Sequence, residues 1–313
     1  MRETLLAPMP LTFEALFVFL LAASLAGAAL ARRHPESATI RNANDRIRAW
    51  WAITIILAIA FAAGTTATIL LFALASFWCL REFLSLTPTR LADHYALAAA
   101  FYVFLPLQYA LLLWPWLAVF VIAIPVYGFL ALPSLSLAFG ETTDFLQRVA
   151  KIQWALMLTV YALSHAPALL LLRFEDHAAG PFGLLAFLLL VTQGSDVAQY
   201  LAGKRFGRTP LAPAISPSKT REGLLYGGAA ATLLGGALHG LTPFGVWGAL
   251  AMALVLVAAG ALGGLVLSAV KRSLGAKDWG TMIEGHGGML DRMDSLAFSA
   301  PLLFHLANYF WAV

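Results

Sequence analysis

The sequence predicts an all-α, polytopic integral membrane protein with about ten transmembrane helices and both termini on the non-cytoplasmic side. Three observations predict it. Of the 313 residues, 61% are hydrophobic and only 12% are charged, with a mean hydropathy of +0.81. A soluble domain carries about a quarter charged residues, so this chain lacks the polar surface to cover itself in water. Apolar runs near the roughly 20 residues that a bilayer-crossing helix needs recur along the whole chain. Finally, with ten crossings, 18 of the 20 lysines and arginines fall on one side, the side read as cytoplasmic.

The first run, Leu11 to Ala31, follows the mixed-charge pair Arg2-Glu3 and precedes arginines, which marks a retained helix rather than a cleaved signal. Trp50 to Leu80 is too long for one crossing, and Gly64-Thr65-Thr66 divides it in two. Further runs are Ala96 to Leu113, Trp116 to Leu132, Ile152 to Leu172, Phe182 to Ala202, Leu224 to His239, Val246 to Val270 and Leu296 to Ala312. Pro115 and Pro181 punctuate two of the breaks. Only Arg2 and Arg173 fall on the far side, and removing one helix from the count scrambles the sorting. Aromatic stretches such as Trp114 to Trp116 read as interface belts, and Gly223, Gly227, Gly260 and Gly264 as sites of close helix packing. His165 and His305 read as packed side chains, and the single Cys79 lies far from any motif. Residues 1–180 read as a scaffold and 181–313 as a catalytic region with cytoplasmic loops 203–222 and 271–295.

Basic loops need no explanation beyond topology and headgroup contact, and the segment Arg32 to Arg48 is read that way. Two loops differ. Gly203 to Arg221 and Ser268 to Asp294 together hold nine cations, interspersed with glycines, hydroxyls, a histidine and carboxylates. Chemistry at phosphorus asks for such a set: cations for phosphate oxygens, glycines where backbone amides approach, and carboxylates for a divalent ion. Asp291 and Asp294 stand three apart at the start of the last helix, so they face one point or else cap that helix. Asp196, in Thr192-Gln193-Gly194-Ser195-Asp196, sits inside a span, where an ionised group is costly. It reads as a site residue, or as an acid reaching Lys204 or Arg205 at the interface.

The stretch Ser268 to Asp294, with Lys271-Arg272, Lys277-Asp278-Trp279-Gly280, Gly285-His286-Gly287-Gly288 and Asp291-Arg292-Met293-Asp294, resembles the signature of the phosphatidate cytidylyltransferases, or CDP-diacylglycerol synthases. A second block is similar to the same family: Gly194-Ser195-Asp196, Gly203-Lys204, Leu211-Ala212-Pro213 and Ser216-Pro217 with Lys219-Thr220. The resemblance implies transfer of a cytidylyl group from CTP to phosphatidic acid, giving CDP-diacylglycerol and pyrophosphate, with magnesium, alone or with a second cation, as cofactor. It implies Asp291 as a metal ligand, Ser216 and Lys219 at the nucleotide, and Lys271-Arg272 at the phosphates. Lys219, Lys271, Arg272, Lys277, Asp278, His286 and Arg292 are thus expected to be catalytic, and Ser195, Lys204, Ser216, Thr220, Gly287 and Gly288 to bind substrate. The expected metal ligands are Asp291, Asp294, Asp196 and Glu284. Glu284 is included because the family usually has Gly-Asp where this chain has Gly263-Gly264, and proline where it has Glu284.

Partners expected are CTP, phosphatidic acid and membrane lipids; a second copy of the chain is admissible and nucleic acid is not. The expected location is a bacterial plasma membrane with the site facing the cytoplasm. A related CTP-using transferase or kinase acting on another lipid is the alternative, told apart by its product. A transporter fits less well, because the charges crowd one face and the halves show no repeat.

Overall fold

The computed structural model describes residues 8–33, 36–175, 180–282 and 287–313. Its described residues form ten helical segments that coincide with the ten apolar runs: α1 (Pro8–Arg33), α2 (Ala38–Ala63), α3 (Thr65–Leu86), α4 (Leu91–Leu113), α5 (Leu117–Phe139), α6 (Phe145–Leu171), α7 (Gly180–Phe206), α8 (Gly223–Ala237), α9 (Val246–Ser273) and α10 (Leu290–Phe310). Seven are long and apolar enough to cross a membrane. Of the rest, α2 has a shorter apolar stretch, Ile47–Ala63, and α8 is itself short, while α10 opens on the charged Asp291-Arg292-Met293-Asp294.

Local chemistry sets the boundaries. Gly64 adopts φ +98°, open to glycine, and its N–H closes α2 on Ala60 and Phe61, so the long apolar stretch becomes two helices. Pro106 and Pro125 cannot donate to a helical ladder, and α4 and α5 each contain a π-helical turn, Ala100–Phe104 and Ala123–Gly128, beside or around them.

Helix α6 is the most enclosed span, with 72% of its apolar window buried against 12% for α1 at the periphery. Phe120, Phe187 and Phe304 fill the core, and His165 packs fully buried against Phe120, Phe304 and His305. Exposed Trp114, Trp116, Trp247 and Tyr309 lie at the helix ends opposite the charged loops, as an interfacial belt requires. On the charged face, Arg148 is buried against Asp93 at 3.1 Å and Arg90 bonds Glu141 at 2.6 Å, which clamps the α3–α4 and α5–α6 connections together.

Four features differ from the sequence reading. Helix α2 starts at Ala38, so Arg41, Arg46 and Arg48, read as part of a basic loop, stand on a helix. Helix α7 runs to Phe206, so Asp196 lies nearly three turns from its end and Lys204 is on the last turn. Lys271 and Arg272 close α9 and so stand on a helix rather than in the loop, while Asp291 and Asp294 open α10, at the start of the last helix. The α7–α8 connection contains a two-stranded antiparallel hairpin, β1 (Pro210–Ala212) and β2 (Ser216–Thr220), that apolar-run counting does not detect.

Candidate functional site

The hairpin is held to the end of α7 by close glycine contacts. Gly223 N–H donates to Thr220 Oγ1 at 3.1 Å, and a Cβ at Gly203 or Gly223 would crowd that same hydroxyl at 3.1 or 2.8 Å. Glu222 ties the start of β1 down by accepting the amides of Arg208 and Thr209, each at 3.0 Å. Those backbone donors hold the Glu222 carboxyl far below its usual range, at about 2. Neighbouring strand residues point to opposite faces, so with Thr220 turned to α7, Lys219 turns the other way. Its ammonium reaches α9, where a Cβ placed on Gly264 would stand 2.7 Å from Nζ.

Helix α10 packs closely on α9 because Gly260 and Gly263 leave room for Ser295 and for the Asp294 carbonyl. That packing brings Asp294 beside Gly264 and Lys219. Ser295 Oγ donates to Asp196 Oδ2 at 2.6 Å, and the Ser295 N–H donates to Asp294 Oδ1 at 2.7 Å, so Ser295 links carboxylates from α7 and α10. Asp196 therefore faces Ser295, Asp294, Lys219 and Arg292 instead of the interfacial Lys204 or Arg205. Lys271, 7% exposed, donates to Asp291 Oδ1 at 2.5 Å. Asp291 Oδ2 accepts the amides of Trp279 and Gly288, each at 2.9 Å.

Sequence reasoning missed Glu82 and Ser295. Glu82, 5% exposed at the end of α3, accepts the amides of Met289 and Leu290 at 2.9 and 2.8 Å and so caps α10 from a distant helix. A Cβ on Gly280 would stand 2.9 Å from its Oε1, and one on Gly288 would collide with its carboxylate. Gly287, at φ +82°, leaves the equivalent room for Asp291. The signal for Glu82 was available: it is an acid at the mouth of an apolar run, the same feature that singled out Asp196. Trp279 stacks on Phe83 at 4.8 Å and seals the floor beneath the loop. Cys79 is not far from the motifs: it is buried one turn before Glu82, within electrostatic reach of Asp291 and Asp294.

Lys219, Lys271, Arg292, Asp196, Asp291 and Asp294 thus come together at one end of the bundle. Ser195 is buried behind them and accepts from Gln199 at 2.7 Å. Lys204, Arg272, Lys277 and Asp278 are exposed on the rim, where Arg272 donates to the Ala276 carbonyl at 2.8 Å, and Ser216 opens β2 opposite Ala212. Glu284 and His286 lie outside the described residues.

Among the described residues, no group of three or more histidines, cysteines and acids is arranged to hold a metal ion. The donor set explains why. Asp291 carries three donors, Asp294 takes its own neighbour's amide and faces Lys219, and Asp196 takes the Ser295 hydroxyl. The described carboxylates are matched to ammonium groups and N–H donors, and so do not by themselves fit the divalent ion that the resemblance implies.

The model of the cytidylyltransferase family matches residues 44–310. The chain is 38% identical over 299 residues to the uncharacterized protein YnbB of Escherichia coli (strain K12), covering 94% of this chain and 96% of that one. It is 43% identical over 148 residues to a phosphatidate cytidylyltransferase of Brucella suis, and 40% identical over 111 residues to one of Aquifex aeolicus. These alignments cover 46% and 35% of this chain, and 53% and 41% of those enzymes, so the chain spans about half the length of the phosphatidate cytidylyltransferases it matches.

Proposed function

Because the chain belongs to the cytidylyltransferase family, we propose that it transfers the cytidylyl group of CTP to phosphatidic acid, forming CDP-diacylglycerol and pyrophosphate. The observation that carries this reading is the convergence of Lys219 from the hairpin with Lys271 and Asp291 from two helix ends, at one face of a membrane protein. A water-soluble nucleotide and an acidic lipid headgroup meet only at such a boundary. A phosphate oxygen of the lipid attacks the α-phosphorus of CTP, and the bond from that phosphorus to the bridging oxygen breaks to release pyrophosphate. Both reactants are anionic, so fixed cations must offset their repulsion and take up the charge that grows on the leaving group. In this reading Lys219, Lys271 and Arg292 supply those cations, and the carboxylates beside them hold the charged groups in position. The fall of 18 of 20 lysines and arginines on one side supports reading this as the cytoplasmic face, and the membrane as a bacterial inner membrane.

The test is incubation of purified protein with α-labelled CTP and phosphatidic acid, followed by organic extraction. Label is expected in a CDP-lipid with stoichiometric pyrophosphate. Label that stays aqueous across a panel of acidic lipids overturns the proposal, and a phosphorylated lipid with free CDP would make the protein a kinase.

A further inference from the structure

Where the resembled enzymes usually carry an aspartate, this chain has Gly264, and the space is not empty. Lys219 Nζ lies 2.7 Å from where a Cβ on Gly264 would stand, and Asp294 Oδ2 lies 3.7 Å from that same point. Lys219 is half-buried, and its charge acts on both Asp294 and Asp196. An aspartate at this position would have added a third acid beside Asp294 and Asp196. Glycine admits an ammonium instead, so the local charge has the opposite sign.

We infer that Lys219 is a built-in counter-ion, seated in the room that Gly264 leaves, which neutralises Asp294 and Asp196 in place of a divalent ion at that point. This rests on the reading of the site as a nucleotidyl-transfer centre. It also accounts for the poor fit of the described carboxylates to a metal. The hairpin strand that carries the lysine is anchored where Gly223 N–H donates to Thr220 Oγ1, so its ammonium is presented to phosphate without being recruited from solution.

The prediction is counter-intuitive for a metal-dependent family: disturbing the lysine should improve metal binding. Mn2+ binding to detergent-solubilised full-length protein, read from the free-ion electron paramagnetic resonance signal, tests it. Gly264→Ala keeps every charge but places a methyl group 2.7 Å from Nζ, closer than a carbon and an ammonium can approach. The flexible lysine end can withdraw, and alanine is at home in a helix. Lys219→Met removes the charge. Both are expected to bind Mn2+ more tightly than wild type, Lys219→Met by about tenfold or more, as expected for an ammonium within a few ångströms of the ion. Arg205→Met, which removes an exposed cation from the same face, controls for net charge and should leave the affinity unchanged. Unchanged or weaker Mn2+ binding in Gly264→Ala overturns the inference, as does equal tightening in Arg205→Met. Failure of wild type to make CDP-lipid would instead sink the functional reading, while the Mn2+ comparison would still decide the role of Lys219.

Discussion

Lys271 Nζ donates to Asp291 Oδ1 across 2.5 Å, and only 9% and 10% of the two side chains reach solvent. Removing one partner of such a pair leaves a desolvated charge, at a cost of about 3–5 kcal/mol. Asp291 also holds the amides of Trp279 and Gly288, so the pair joins the end of α9 to the loop that opens α10. Lys271→Met is therefore expected to lower stability by about that amount and to abolish turnover. Lys271→Met with Asp291→Asn should recover part of the stability and none of the turnover. Thermal unfolding in detergent and CTP labelling measure the two; a single mutant that unfolds at the wild-type temperature would mean the pair holds nothing.

Glu82 accepts two consecutive amides, one on each carboxylate oxygen. In Glu82→Gln only one oxygen remains, and an NH2 group faces the other N–H. Leaving a buried donor unmet costs about 1–3 kcal/mol, and the loss should be local to the start of α10. Amide hydrogen exchange at Met289 and Leu290 is expected to accelerate, with exchange in the middle of α6 unchanged. Equal protection in mutant and wild type would show that α10 needs no cap from α3.

The helices were legible because the bilayer imposes length and apolarity on each crossing, and Gly64 marked the break inside Trp50 to Leu80. Asp196, Asp291 and Asp294 were legible as charges that topology does not need, and Lys219 and Lys271 through the motifs in which they stand. Their pairings were not, because they depend on side-chain reach across four helices and a hairpin. Glu82 lies 207 residues from the amide of Met289, a separation that no local pattern encodes. Gly287 and Gly288 looked like ligand-binding glycines, yet their bareness also admits the carboxylates of Asp291 and Glu82. Sequence alone does not separate those two uses of glycine.

Glu222 predicts a pH dependence whose sign follows from its donors. Its carboxyl is drawn down from 4.5 to about 2 by the amides of Arg208 and Thr209. The folded value lies below the unfolded one, so its stabilisation of the hairpin is fully present above about pH 4.5 and is lost as pH falls toward 2. Cleavage of the hairpin by an acid protease should rise over that window in wild type. In Glu222→Gln, whose amide oxygen can still accept both N–H groups but does not titrate, cleavage should be nearly flat with pH; a mutant that retains the wild-type profile would assign the transition to another group.

Ser295 has one proton to give, and the shorter contact, 2.6 Å to Asp196 Oδ2 against 3.2 Å to Asp294 Oδ1, shows where it goes. The hydroxyl fixes Asp196 in a helix interface, where no water is needed to do so. A hydrogen bond to a charged group is worth about 1.5–3 kcal/mol, which corresponds to about 10- to 100-fold in rate if Asp196 must be held for turnover. Ser295→Ala is thus expected to lower kcat by that factor with a smaller change in KM for CTP. Because Ser295 would act through Asp196, adding Ser295→Ala to Asp196→Asn should cost little more than Asp196→Asn alone. Full additivity of the two losses would mean that the serine and the aspartate serve the site independently, and the link between α7 and α10 would then have no part in turnover.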